Sequence, residues 1–443
     1  MTRDMTSGNP TKLLLEFSIP MLIGNFFQQF YSMVDTIVVG KTIGVDALAA
    51  VGSTGSINFM IIGFIIGLSN GFGIMVAQRF GANDKNGVKK AVTMSVYLSL
   101  FMAIVVTALS LITSMPLLRL LNTPANIIHD ANLYISIIYI GIIATISYNL
   151  IASILRAFGN SKAPFYIMII SSLANIVFNL LFILVFKLGV AGSAIATDSA
   201  QVLSCILGFM VLRKHEMLKI KKLDWTIDFT ILKKLFILGI PAAIQNSVTA
   251  LGCMLLQAIV NGYGAIYVAG YTAGTKIMSL VEQPGITFGL AMATFSGQNL
   301  GAKKYDRISL GIRKCIKMSV IVNIIISLLI IIFRHQIISL FVSPTETGVF
   351  KVSGQYMIVT SIFVCDLGLL FIYRSALQGM GNTVIPMISG VLELALRLLF
   401  GLTLPIFISF LGICFAEVSA WVGAELLLMI SYYIMIRKLK HKF

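Results

Sequence analysis

The chain has 443 residues, of which 58% are hydrophobic and 11% charged, with a formal net charge of +16 and a mean hydropathy of +0.94. A soluble domain carries about 25% charged residues, so this composition excludes an ordinary water-soluble fold and points to a polytopic membrane protein. The excess positive charge does not indicate nucleic acid, because the basic residues gather in short connections between apolar runs, as in cytoplasmic loops.

In chain order, residues 1–10 are polar, and no signal-peptide cleavage pattern follows the first apolar run. A helical span needs about 20 mostly apolar residues. That rule predicts an all-α protein with twelve transmembrane helices, at 14–39, 51–78, 91–113, 131–155, 164–186, 190–212, 235–260, 266–296, 316–333, 352–376, 384–408 and 411–436. With the N-terminus inside, cytoplasmic connections and tails hold 25 of the 33 Lys and Arg, and the opposite side holds five. The asymmetry predicts that both termini are cytoplasmic. The densest basic cluster, Arg213 to Lys234, reads as a linker between an N-terminal six-helix lobe (1–212) and a C-terminal one (235–443).

The first span carries Asn25, Gln28, Gln29, Ser32, Asp35 and Thr36 at steps of three and four, so they share one helical face. Such a stripe faces protein or water, never lipid. Asp35 reads as functional, because intramembrane carboxylates mark ion and proton paths. The bland alternative is polar glue between helices, which is worth only about 0.6 kcal/mol on average.

In the fourth to sixth spans the polar candidates are Tyr134, Tyr139, Asn175, Asn179, Thr197 and Asp198; in the tenth it is Asp366. Glu393 and Arg397 sit at i and i+4 and suggest an internal ion pair. Arg374 is expected to snorkel to the cytoplasmic rim. Gly63, Gly67 and Gly71, four apart, predict close helix contact. The five cysteines and four histidines are scattered, with no disulfide or metal spacing.

Around the linker the sequence repeats. KLLLEFSIP (12–20) returns as KKLFILGIP (233–241), AQRFGANDKNGVKKA (77–91) as GQNLGAKKYDRISLG (297–311), and LRAFGNSKAP (155–164) as LQGMGNTVIP (377–386). Six spans per half make the repeat parallel, with a pseudo-two-fold axis along the membrane normal, as in transporters. Two such lobes would enclose a central cavity and alternate its access by rocking. The second half retains Asn246 opposite Asn25, but Leu256 stands opposite Asp35. The two lobes are thus expected to share architecture and differ in chemistry.

The stretches IPMLIGNFFQQFYSMVDTIVVG, GVDALAAVG, VAQRFGAND, LRAFGNSKAP, SGQNLGA and LQGMGNT closely resemble the multidrug and toxic compound extrusion (MATE) family over nearly the whole chain. The resemblance implies an inner-membrane antiporter of two six-helix bundles that expels amphipathic, often cationic compounds in exchange for protons or sodium. It points to Asp35 as the coupling carboxylate, with Asn175, Asn179 and Thr197 around it. Many proton-coupled relatives have an Asp where this chain has Asn179, so Asp198 is expected to substitute in part. Gln28, Gln29, Tyr134, Tyr139, Asn246, Met278, Phe288 and Asp366 are the candidates for the substrate cavity. A monomer without cofactor or nucleic-acid partner is expected, in contact only with substrate and bilayer. The rival readings are a flippase for a lipid-linked precursor, which wants a strongly cationic cavity, and a membrane-embedded enzyme, which wants a nucleophile or metal constellation.

Overall fold

The computed structural model describes residues 3–343 and 345–441, the side chains of Met33, Asp35, Thr36, Ile37, Lys41 and Val45 excepted. The first half contains α1 (Pro10–Thr42), α2 (Val45–Gly81), α3 (Lys85–Leu120), α4 (Ile128–Ile140), α5 (Ile142–Ala157), α6 (Lys162–Leu180) and α7 (Gly189–Arg213). One π-helical turn, Leu181–Val185, prolongs α6, and two 3-10 turns (Glu216–Leu218 and Lys222–Trp225) lie in the linker. The second half contains α8 (Phe229–Asn261), α9 (Ala265–Val281), α10 (Gln283–Gly301), α11 (Tyr305–Ser339), α12 (Thr347–Ile362), α13 (Val364–Gly379), α14 (Val384–Ile408) and α15 (Phe410–His441). No strand occurs among the described residues.

Each of the twelve expected spans falls on a helix or on two helices joined at a break. Among the described residues, eight helices are long and apolar enough to cross a membrane alone. The pairs α4–α5 and α12–α13, bent by 48° and 52°, qualify together. The other two spans are α1, with its polar stripe, and α9–α10, interrupted at Glu282. Pro20 and Pro241 lie inside helices that run on through them.

The repeat is written into the backbone. Gly44 and Gly264 have φ of 119° and 94°, Gly159 and Gly381 have 73° and 87°, and Asn83 and Lys303 have 55° and 58°. Positive φ is a conformation that glycine adopts without a Cβ penalty, which accounts for the recurring Gly-Asn pair. In both copies the asparagine then caps the next helix: Ala163 N donates to Asn160 Oδ1 and Ile385 N donates to Asn382 Oδ1, each at 3.1 Å. The bends of the fourth and tenth spans, at Gly141 and Phe363, recur at the same spacing with unrelated residues.

The chain divides into two compact units: Met1–Asp4 with Ile19–Ala243, and Met5–Ser18 with Ile244–Phe443. In the first, α2, α3, α4, α5 and α7 pack together, and α6 joins through α7. The buried core includes Ile65, Leu68, Phe72, Met94, Leu155 and Phe158. Gly67 and Gly71 lie against the backbone of Ala242 and Gly239 in the first half of α8, with no room for a Cβ at either position. The small-residue spacing therefore serves close helix packing, as expected.

The linker is built onto this unit. Lys90, Thr93 and Tyr97 line one face of α3 and hold it. Lys90 Nζ donates to Thr226 O (2.8 Å), Thr93 Oγ1 to Asp224 O (2.9 Å) and Tyr97 Oη to Trp225 O (3.1 Å). The Trp225 ring meets Tyr97 edge-on at 5.6 Å. Asp228 caps α8, accepting from Thr230 N and Ile231 N.

His215 stacks on Phe158 with ring centroids 4.4 Å apart, and neither ring nitrogen has a hydrogen-bond partner among the described residues. Burial lowers its pKa from the usual 6.5, against the opposing pull of Glu216. The unfolded chain therefore binds the proton more tightly, and the contact loses stability as pH falls through and below the ordinary histidine range. The thermal unfolding midpoint of the wild type should fall between about pH 7 and about pH 5, whereas His215→Phe should show a flatter profile over that range.

In the second unit, α10 packs on α13, α14 on α15, and α9 on α12. The segment ahead of α1 is strapped into it. Met5 is fully buried; its N donates to Gln298 Oε1 (2.7 Å) and its carbonyl accepts from Asn299 Nδ2 (3.2 Å) and Arg307 Nη2 (3.1 Å). Lys304 Nζ donates to Thr6 O (2.8 Å) and Arg307 Nη2 to Ser7 O (2.9 Å).

Candidate functional site

Helix α1 exposes two opposite faces. Ile19, Ile23, Phe30 and Val34 form an exposed apolar face. About half a helical turn away, Gln28 and Ser32 are also exposed, with Asn25 and Gln29 half-buried beside them. Hydrocarbon suits the first face only; the second requires water or polar partners. The backbone of Asp35 continues this polar face by helical register. The Asp35 side chain lies outside the described residues.

Three of the expected residues come together between α6 and α7. Asn179 Nδ2 donates to Asn175 Oδ1 (2.5 Å), Asn175 Nδ2 to Thr197 Oγ1 (3.4 Å), and Thr197 Oγ1 to Ser193 O (3.1 Å). Asn175 and Asn179 are each 1% exposed. A buried chain of this kind fixes its rotamers and holds the two helices in register.

Asp198 is one residue on from Thr197 and so points about 100° away. Its carboxylate rests on Gly141 at the break between α4 and α5, where any side chain would collide with it. The sequence places Thr197 and Asp198 together, whereas the structure gives them different neighbours. Tyr134 and Tyr139 are buried on α4, and the Tyr139 hydroxyl has no hydrogen-bond partner among the described residues.

The second unit holds its own buried charges. Arg374 is 6% exposed and binds Glu393. It does not reach the rim, because Glu393 offers a carboxylate inside the unit. Arg397 Nη1 lies 3.5 Å from the other oxygen of Glu393, which is the expected i, i+4 pair. Tyr356 Oη donates to Glu417 Oε2 at 2.8 Å. Asp366, in the first turn of α13, lies beside Glu425 of α15.

Asn246 is half-buried on α8. Met278 and Phe288, expected at a cavity wall, are 5% and 6% exposed in the packed interior of the second unit. Glu425 was not singled out by sequence; an acid inside the last apolar run was the available signal. No group of three His, Cys, Asp or Glu among the described residues could hold a metal.

These features define the class: a multi-pass helical membrane protein built on a duplicated six-span plan, with a polar first helix. The MatE family model matches residues 20–181 and 241–403, one stretch in each half. The chain is 30% identical to the "Probable multidrug resistance protein YoeA" of Bacillus subtilis (strain 168), covering 96% of this chain and 93% of that one. It is also 30% identical to "Probable multidrug resistance protein YpnP" of the same organism, covering 85% and 84%. Among solved structures, "Outward-facing conformation of a multidrug resistance MATE family transporter of the MOP superfamily" matches with a TM-score of 0.92 at 22% identity, covering 99% of this chain and 98% of that one. The chain belongs to the MATE family. It is a transporter of that family, not an enzyme, and its fold is the family's twelve helices in two six-helix lobes.

Proposed function

We propose that this protein is a cation-coupled efflux antiporter of the cytoplasmic membrane, with both termini inside, which exports amphipathic, often cationic compounds by alternating access. The observation that carries this reading is the exposed polar face of α1, Gln28 and Ser32, in register with Asp35 and opposite an exposed apolar face. A carboxylate on such a face, in an otherwise apolar segment, is a site where charge is exchanged rather than stored.

The cycle is a competition for that charge. Ionised Asp35 favours a cationic substrate; binding of a proton removes the charge, and the substrate leaves. The coupling ion acts only through its different affinity for the two states of the transporter. The Asn175–Asn179–Thr197 chain positions α6 and α7 without adding a second charge. A second reading, sodium or proton exchange in the C-terminal half, is favoured by the Asp366–Glu425 pair.

The test is export of a cationic dye from proteoliposomes of purified protein, with a pH gradient and a sodium gradient imposed separately. Dye movement driven by the pH gradient alone is expected. Movement driven by sodium alone would favour the second reading, and movement driven by neither would overturn the antiport assignment.

A further inference from the structure

A cavity of about 690 Å³ lies in the first unit between α3, α5, α7 and the linker. That is within the range of small-molecule sites, about 300–1,000 Å³. Its walls are almost wholly apolar, and Arg213, the last residue of α7, is its one charged lining residue. Leu100, Ile206 and Phe209, from α3 and α7, line it and are also exposed. Exposed apolar side chains on membrane-crossing helices face hydrocarbon, so the cavity opens toward lipid.

We propose that this cavity binds one anionic phospholipid, its acyl chains in the apolar chamber and its phosphate at Arg213. Three observations lead there. The first is the wall: Trp225 lines the cavity and is held in place by Tyr97, while Lys90 and Thr93 fix its neighbours. The cavity is therefore built by the linker, not left by a loose loop. The second is charge. Arg213 is followed by Lys214, Lys219, Lys221 and Lys222, all exposed. The nearby acids Glu216, Asp224 and Asp228 offset three of these five charges, Asp224 also accepting from Lys221 N and Asp228 capping α8. The surplus is positive, suited to a phosphate carrying net negative charge and unfavourable for an amphipathic cation. The third is Ser99, a lining residue 4% exposed whose hydroxyl has no hydrogen-bond partner among the described residues. It offers a buried donor to an ester or glycerol oxygen.

The experiment uses the full-length chain in phosphatidylcholine nanodiscs, so it depends neither on transport nor on orientation. Trp421→Phe leaves Trp225 as the sole tryptophan. Brominated phosphatidylglycerol and brominated phosphatidylcholine, which quench tryptophan fluorescence on contact, are then titrated in turn. Quenching by the anionic lipid is expected to saturate at about a fivefold lower mole fraction than quenching by the zwitterionic one, as one basic residue facing a net anionic rather than a zwitterionic headgroup warrants. Arg213→Ala, or Arg213→Gln if the alanine variant folds poorly, should remove that preference. Lys222→Ala, at an exposed position outside the cavity lining, should retain most of it. Equal quenching by the two lipids in the otherwise unaltered chain would overturn the proposal. So would a preference that survives loss of Arg213, or one that Lys222→Ala weakens as much, since that pattern means diffuse surface attraction.

Discussion

Glu393→Ala is expected to destabilise the second unit by about 3–5 kcal/mol, the usual effect of removing one partner from a buried ion pair. Glu393 is 2% exposed and lies between Arg374 and Arg397, themselves 6% and 3% exposed. Its loss strands two guanidinium groups without their bridging carboxylate. The Nε atoms of both arginines have no hydrogen-bond partner among the described residues, and Glu417, the next acid near Arg397, is already bound by Tyr356. Thermal unfolding in detergent should show a large drop in midpoint, or no folded protein recovered at all. The triple replacement Glu393→Leu, Arg374→Met and Arg397→Met should recover most of the loss, because apolar residues of similar volume often match a buried ion pair in stability. A single Glu393→Ala variant as stable as wild type would mean that the arginines have another counter-charge.

Asp35→Asn should reduce gradient-driven dye export to the level of protein-free liposomes while leaving the fold intact. The substitution is nearly isosteric and falls on a helix whose polar face, at Gln28 and Ser32, is exposed rather than packed. Little packing is lost, but the exchangeable charge is. Dye binding should persist and lose its dependence on pH, since that dependence comes from the carboxylate. Export retained in full by Asp35→Asn would move the coupling site elsewhere, and the Asp366–Glu425 pair would be the first place to look.

Much of this fold was legible in sequence because the bilayer imposes strong constraints. Span length, apolarity and the repeat located the helical spans, and the Gly-Asn pairs that recur as text recur as positive-φ turns with the same cap. The i, i+4 pair of Glu393 and Arg397 was visible because it is local. What sequence missed was partnership at a distance. Arg374 finds Glu393 on the next helix, so it stays inside instead of reaching the rim. Asp198 and Thr197 are neighbours in the chain, yet a helix turns them toward different elements, Gly141 and Asn175. Met278 and Phe288 have the composition of a binding wall, but composition does not distinguish a wall from a core. The linker looked like a charged connection; only its hydrogen bonds to α3 make it one side of a chamber.

The docking of Met5 beneath Arg307 has a practical consequence for anyone who handles this protein. A fluorescent fusion or affinity tag joined directly ahead of Arg3 would tug on a seated peptide and trade an anchored end for a loose one. The far end is the safer handle: α15 finishes in a basic run, Lys438 to His441, whose one ion pair, Lys440 with Asp306, lies at the surface, so it can carry cargo without unseating anything buried.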